Sequence, residues 1–295
     1  MRRLRSTAHW SDPRVKPPYG AAEIDWNHSL SRSLVFSTLL NESGGRPADK
    51  NSQAVGIKLG STPAQWTVTN RGAAMKGQTT TSGNGIEFGS PAVSADVTLQ
   101  SAASIAALVL LTQSDRTQVW SRWTVGGVGW QYGDINANGW LGINQAFTGS
   151  NGLIASATAP SLNIPTMCVA AWNPTNNTAS DISLFHNGVL QSHSFDNNGT
   201  NGSLFSDVTG KVEMFASLGG YNGYSGTNAN IAVFIWKNRR LLASDALWLT
   251  AEPYAMFRPI IRRRYFIAAA GAAAPDTFIQ QHIGRAIGRG ILVGR

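Results

Sequence analysis

The chain has 295 residues, of which 42% are hydrophobic and only 14% charged, and its formal net charge is +8. That balance excludes a chain too polar to bury a core and fits one large β domain or two small ones. The single cysteine, Cys168, excludes an internal disulfide framework, and no apolar run reaches the roughly 18 residues of a membrane span.

Residues 1–20 read as a basic, extended N-terminal arm. Arg2, Arg3, Arg5, Arg14 and Lys16 stand against one carboxylate, Asp12, for a net +4. Pro13, Pro17 and Pro18 rule out a helix or a central strand. The first residues are basic but carry no apolar stretch behind them, so no secretory signal is expected, and synthesis in a cytoplasm is.

From residue 21 onward, short apolar stretches recur between turn residues. They are LVFSTLL (34–40), GIEFGS (85–90), SIAALVLL (104–111), TQVWSRW (117–123), VGWQYGD (128–134) and GWLGIN (139–144). TMCVAAW (166–172), DISLFHNGVLQSHSF (181–195), KVEMFASLGG (211–220) and NIAVFIWKNRRL (230–241) follow. Such spacing predicts an all-β sandwich or barrel. Asn187-Gly188 predicts a type I′ hairpin turn, whose two central residues both need positive φ. One helix is expected over 244–252, with Ser244 as its N-cap, Asp245 at its positive end and Pro253 as its stop.

The C-terminal part is basic again. Seven arginines from Arg258 to Arg295 face only Asp276, a net +6, which leaves residues 21–257 at −2. AAAGAAAP (268–275) reads as a small-residue linker. Phe278, Ile279, Ile283, Ile287, Ile291 and Leu292 have helix-like spacing, but each interspersed glycine costs a free helix about 1 kcal/mol. The tail is therefore expected to order on docking to a neighbour or to stay without regular structure.

Two segments carry a family resemblance. Ile24-Asp25-Trp26-Asn27-His28-Ser29-Leu30-Ser31-Arg32-Ser33-Leu34-Val35, followed by Asn41-Glu42-Ser43-Gly44-Gly45, is similar to an opening of the form I-[DN]-W-x-H-P-L-A-x-G-L-V with N-E-G-G-G. Glu252-Pro253-Tyr254-Ala255-Met256-Phe257-Arg258-Pro259 is similar to a closing N-P-W-x-x-F-x-P. Together they resemble LamG-like, concanavalin A-like jelly-roll proteins of phage and prophage genomes, over residues 17 to 264. Ser29 departs from the usual proline, and Ala48-Asp49-Lys50-Asn51-Ser52 only faintly echoes the D-L-S-G-N-G segment. The resemblance implies a concanavalin A-like jelly-roll β-sandwich over 21–264 with one short C-terminal helix; the composition of the ends marks an arm at 1–20 and a linker with a basic apolar tail at 265–295.

Glu23 and Asp25 are two apart, so a strand would place both on one face. One glucanase family on the same fold uses E-x-D-x-x-E, but here His28 stands where the third carboxylate belongs. Retaining hydrolysis needs two carboxyls about 5 Å apart, so no catalytic residue is expected, and Trp26 and Leu30 read as packing anchors. His9, His28, His186, His193 and His282 are scattered; even if His186 and His193 meet across a hairpin, no cysteine or carboxylate pair completes a zinc set. Asp134, Asp196 and Asp207 read as loop residues too dispersed for calcium, and the glycines of 126–133 lack the Lys and helix of a phosphate loop. Neither metal nor cofactor is expected, and Cys168, inside an apolar run, reads as a buried thiol.

The resemblance and the basic ends imply a non-enzymatic virion structural protein, a capsid-associated decoration or minor head protein. Its partners would be other virion proteins and itself as a homo-oligomer; nucleic acid is a weaker candidate. Arg2, Arg3, Arg5, Arg262, Arg263, Arg264, Phe278, Ile283 and Ile287 are the expected assembly contacts. The alternative is a carbohydrate-binding adhesion module for a host surface glycan. Trp130, Tyr132, Trp140, Tyr221 and Tyr224, set among asparagines, are its candidate stacking rings. The competing reading makes these rings core or interface aromatics.

Overall fold

Strands whose neighbours alternate between two faces need two layers to cover, and this chain supplies both. A computed structural model describes residues 10, 12–18, 20–42, 44–60, 63–77, 85–89, 93, 95–113, 118–124, 128–136, 139–147, 150–173, 179–197, 206–215 and 228–260. Residues 1–258 and 259–295 are separate units, and the first is the subject below. In chain order the strands are β1 (Ala22–Ile24), β2 (Leu34–Thr38), β3 (Gly56–Leu59), β4 (Gln65–Thr69), β5 (Gly72–Lys76) and β6 (Gly85–Phe88). There follow β7 (Ala103–Leu110), β8 (Gln118–Thr124), β9 (Val128–Asn136), β10 (Gly139–Phe147), β11 (Ser150–Ala157) and β12 (Thr166–Trp172). The last are β13 (Ile182–His186), β14 (Val189–Leu190), β15 (His193–Asn197), β16 (Lys211–Met214), β17 (Ala229–Lys237) and β18 (Phe257–Pro259), with the helix α1 (Ala243–Ala251) before β18.

One sheet runs β14-β13-β12-β7-β17-β5-β4, with β2 also on β17; the other runs β15-β11-β10-β9-β8-β16-β6-β3. The two inner faces meet in one core. Ile105, Cys168, Trp172 and Ile235 come from the first sheet, and Ile86, Trp120, Trp130, Tyr132 and Met214 from the second. Phe36, Phe88 and Trp120 form an aromatic knot at centroid distances of 4.6 to 5.7 Å. Each fully buried large side chain stabilises the sandwich by about 2–3 kcal/mol.

The first sheet is buried on its far side too. Ala106, Leu108, Val169, Phe234 and Trp236 pack beneath Ile24, Leu30, Leu249, Tyr254 and Met256. Coverage on both faces explains why β7, β12 and β17 are continuous apolar runs rather than alternating ones. The two segments that carry the family resemblance close this layer together. β1 pairs with β18, Asp25 donates its backbone N–H to the Met256 carbonyl at 2.8 Å, and the Trp236 indole donates to the Leu30 carbonyl at 2.6 Å.

Arg258 reaches Glu23 at 2.8 Å and Asp25 at 3.9 Å. The carboxylate pair of the opening segment is thus a strap between β1 and β18. Leu30 is the expected anchor, fully buried, but Trp26 is 56% exposed and anchors nothing. The hairpin is as expected: Asn187 and Gly188 have φ of 48° and 77°. A Cβ on Gly188 would also lie 2.8 Å from Leu247 Cα, so the turn needs glycine for packing as well as for φ.

The helix is capped two residues earlier than expected, at Leu242 in place of Ser244. Asp245 decides this, because its carboxylate accepts the Leu242 N–H at 3.1 Å and fixes the first turn there. Part of the N-terminal arm also belongs to the body. The Lys16 ammonium is enclosed and donates to the carbonyls of Leu40 at 3.0 Å, Ile231 at 2.7 Å and Ala73. Burial pulls its pKa down to about 7 against the attraction of Glu42.

Candidate functional site

The second sheet turns a polar row to its other face. Glu87 stands between Ile86 and Phe88, and Glu213 between Val212 and Met214. A period of two sends those apolar neighbours into the core and both glutamates the opposite way. Register carries the row across the sheet: Ile57 pairs with Glu87, Glu87 with Glu213, Glu213 with Ser121 and Ser121 with Gln131. Ser121 and Glu213 are buried, and Glu87 and Gln131 are half-buried. Lys211, two residues before Glu213 on the same face, donates to the Glu87 carboxylate at 2.9 Å. That bond, with the charge of Glu87 and Glu213, raises the Lys211 pKa against a smaller desolvation effect.

The row ends at a cleft of about 370 Å³ where β6 and β16 meet their loops. Glu87, Gly89, Val93, Val208, Thr209 and Lys211 line it. The cleft offers a carboxylate, an ammonium, a hydroxyl and an apolar wall, in the size range of small-molecule sites.

Its wall is held from behind by a buried network. Arg122, fully buried, donates to the carbonyls of Val208 at 3.0 Å, Gly210 at 3.3 Å and Ala95 at 2.8 Å. Asp207 accepts the Val97 N–H at 2.8 Å and the Trp130 indole N–H at 2.8 Å. Gly210 closes the turn with an N–H to the Asp207 carbonyl at 2.8 Å. Burial first, and then the hydrogen bond with Asp96, raise the Asp207 pKa to about 6 against the attraction of Arg122, 3.9 Å away. A loop tied at so many points presents Val208 and Thr209 in one geometry, which lowers the ordering cost of binding.

The expected residues fall differently. Trp130 and Tyr132 are 0% and 1% exposed. They point from β9 into the core, where Trp130 packs 6.2 Å from Trp172, so neither is a sugar-stacking surface ring. Trp140 lies in β10 opposite Ala157, and its side chain is outside the described set. Tyr221, Tyr224, Arg2, Arg3, Arg5, Arg262, Arg263, Arg264, Phe278, Ile283 and Ile287 also lie outside the described residues. Asp134 and Asp196 are strand residues of β9 and β15 rather than loop residues, while Asp207 is a buried loop residue.

His186 and His193 stand on strands of different sheets, and burial pulls His186 down to about 4. Cys168 is buried and its thiol is pushed well up by that burial, which removes it as a nucleophile. Among the described residues, no three His, Cys, Asp or Glu side chains gather as a metal set. Glu87 and Glu213 are neighbours across two strands, but Glu213 is 1% exposed. A sugar therefore cannot sit between the pair as glycoside cleavage requires.

No family model matches the chain, and no curated protein matches it. Solved structures do. The chain is similar to a mutant of Trypanosoma rangeli sialidase displaying trans-sialidase activity, at 14% identity and a TM-score of 0.50, over 77% of this chain and 34% of that one. Trypanosoma rangeli sialidase itself gives 13% identity and a TM-score of 0.49, over 75% and 33%. The binding domain of botulinum neurotoxin serotype D/C gives 11% and 0.46, over 75% and 52%. The chain thus spans about a third of the sialidase chains and about half of the neurotoxin domain. At these identities the likeness concerns fold: the chain is an all-β jelly-roll sandwich.

Proposed function

We propose that this chain is a non-enzymatic, lectin-like module that binds a glycan in the cleft between Glu87 and Val208. The carrying observation is the preorganised cleft, in which hydrogen-bonding groups face an apolar wall fixed by Arg122 and Asp207. Sugars present that same pairing of hydroxyl edges and apolar faces. The fold shared with a sialidase chain puts no sugar in this cleft; the cleft's own chemistry supports the reading.

Glycan-array binding by the wild-type chain and by Val208→Trp tests it. Val208 is 44% exposed, so the new ring fills the cleft without entering the core. Saturable binding that Val208→Trp abolishes is expected. Binding to no glycan, or binding indifferent to the substitution, refutes the proposal.

A second reading concerns where the module works: on a phage particle, as a decoration or minor head protein. The observation that favours it is the pairing of β1 with β18, which joins the two segments resembling the phage-type proteins into one structural unit. Mass spectrometry of particles purified from the source host should find the chain at a fixed copy number. Its absence from them contradicts this reading and leaves glycan binding standing.

A further inference from the structure

The charges around the cleft are few and already committed. Glu87 and Glu213 are register neighbours on the polar face. Lys211 is the one cation lining the cleft among its described residues, and its ammonium is held by Glu87 at 2.9 Å. Arg122 lies fully buried behind the wall with its nitrogens on three carbonyls. Among the described lining, one carboxylate, Glu87, and one ammonium, Lys211, cancel as an ion pair and leave no cation over.

A carboxylate or sulfate on a sugar needs an uncommitted cation, best a guanidinium that binds it through two parallel hydrogen bonds. This cleft presents none from its described lining. A carboxylate oxygen is instead a good acceptor for sugar hydroxyls, and Thr209 adds a hydroxyl that both donates and accepts.

We infer that the Glu87–Lys211 ion pair makes the cleft selective for uncharged glycans over acidic ones. The inference rests on the glycan-binding reading above. Acidic sugars meet the second carboxylate oxygen of Glu87 while the lining's one ammonium is held by that same group, and uncharged hexoses lose nothing by approaching. Like-charge contact at an interface discriminates by about tenfold or more.

Affinity electrophoresis through gels containing an uncharged polysaccharide (galactomannan) or an acidic one (polygalacturonate) tests this at low and moderate salt. The full chain is run beside Glu87→Gln and Lys211→Ala. The wild type is expected to be retarded by the uncharged polymer at least tenfold more strongly than by the acidic one. Glu87→Gln frees Lys211 and is expected to narrow that ratio at least threefold by gaining acidic binding, most at low salt. Lys211→Ala is expected not to gain it.

Wild-type binding to polygalacturonate that Lys211→Ala removes overturns the selectivity and leaves the glycan reading intact. An unchanged ratio in Glu87→Gln overturns the role of the ion pair. Retardation by neither polymer, together with no binding on the array, overturns the underlying reading and this inference with it.

Discussion

Replacing Arg122 by leucine should be among the most damaging single substitutions in the body. Arg122 is fully buried, and its donors satisfy the carbonyls of Ala95, Val208 and Gly210. Leucine fills part of the volume but leaves three acceptors without that donor and Asp207 without its nearest cation. Unsatisfied buried polar groups cost about 1–3 kcal/mol each, and water entering from the cleft recovers part of that. Breaking one side of a buried charged network costs about 3–5 kcal/mol overall. For a domain of this size that is on the order of a 10 °C fall in Tm. Urea melts followed by tryptophan fluorescence read the loss directly, and the double variant Arg122→Leu/Asp207→Asn should recover part of it. A loss below about 1 kcal/mol would refute the reasoning, because it would mean that these carbonyls are satisfied without the guanidinium.

Other outcomes follow from the same geometry. Burial raises the carboxyl pKa values of Asp49, Glu42 and Asp207, the last to about 6. A raised carboxyl favours the protonated folded state, so stability from these groups grows as pH falls through their raised pKa values, for Asp207 from about 6 towards 4. For Asp207 the gain is at most about 3 kcal/mol, and Asp207→Asn should flatten that part of a pH-dependent urea series. Asp96 opposes them: burial acts upward on it, but hydrogen bonds from Asp207 and Ser206 outweigh this and lower its pKa. Gly188→Ala should destabilise by about 1–3 kcal/mol, because φ is +77° and the new Cβ meets the backbone of α1; thermal melts check it. Lys16→Met removes the donor from three carbonyls. It should raise the rate of limited proteolysis within residues 10–20 by about tenfold, given roughly 1–2 kcal/mol of lost tethering.

Legibility in the sequence followed coverage. β7, β12 and β17 are covered on both faces, so they announce themselves as unbroken apolar runs. β4 and β5, Q-W-T-V-T and G-A-A-M-K, end a sheet where Val68 is 84% exposed; half-covered strands with small residues give no such run. The Asn187-Gly188 turn was legible because its two positive φ values leave a local signature in the residue types. The cap of α1 was misplaced by two residues because the carboxylate of Asp245, not the Ser244 hydroxyl, closes its first turn.

The site was harder to read than the fold. Trp130 and Tyr132 look like stacking rings among asparagines and glycines, yet strand phase turns them inward. Glu87 and Glu213 carried a usable signal, a lone acid between two apolar residues in each of two strands. What no single strand shows is that they become register neighbours. Arg122 within TQVWSRW gave no sign that its partners lie in loops 27 and 86 residues away.

Hydrogen-exchange mass spectrometry with and without a mixture of uncharged oligosaccharides (cello-, malto- and galacto-series) tests the central claim most directly. The account predicts added protection concentrated in residues 87–89, 93 and 207–213, which border the cleft, and none in Val208→Trp. Protection confined to other segments, or unchanged exchange at saturating sugar, would contradict it.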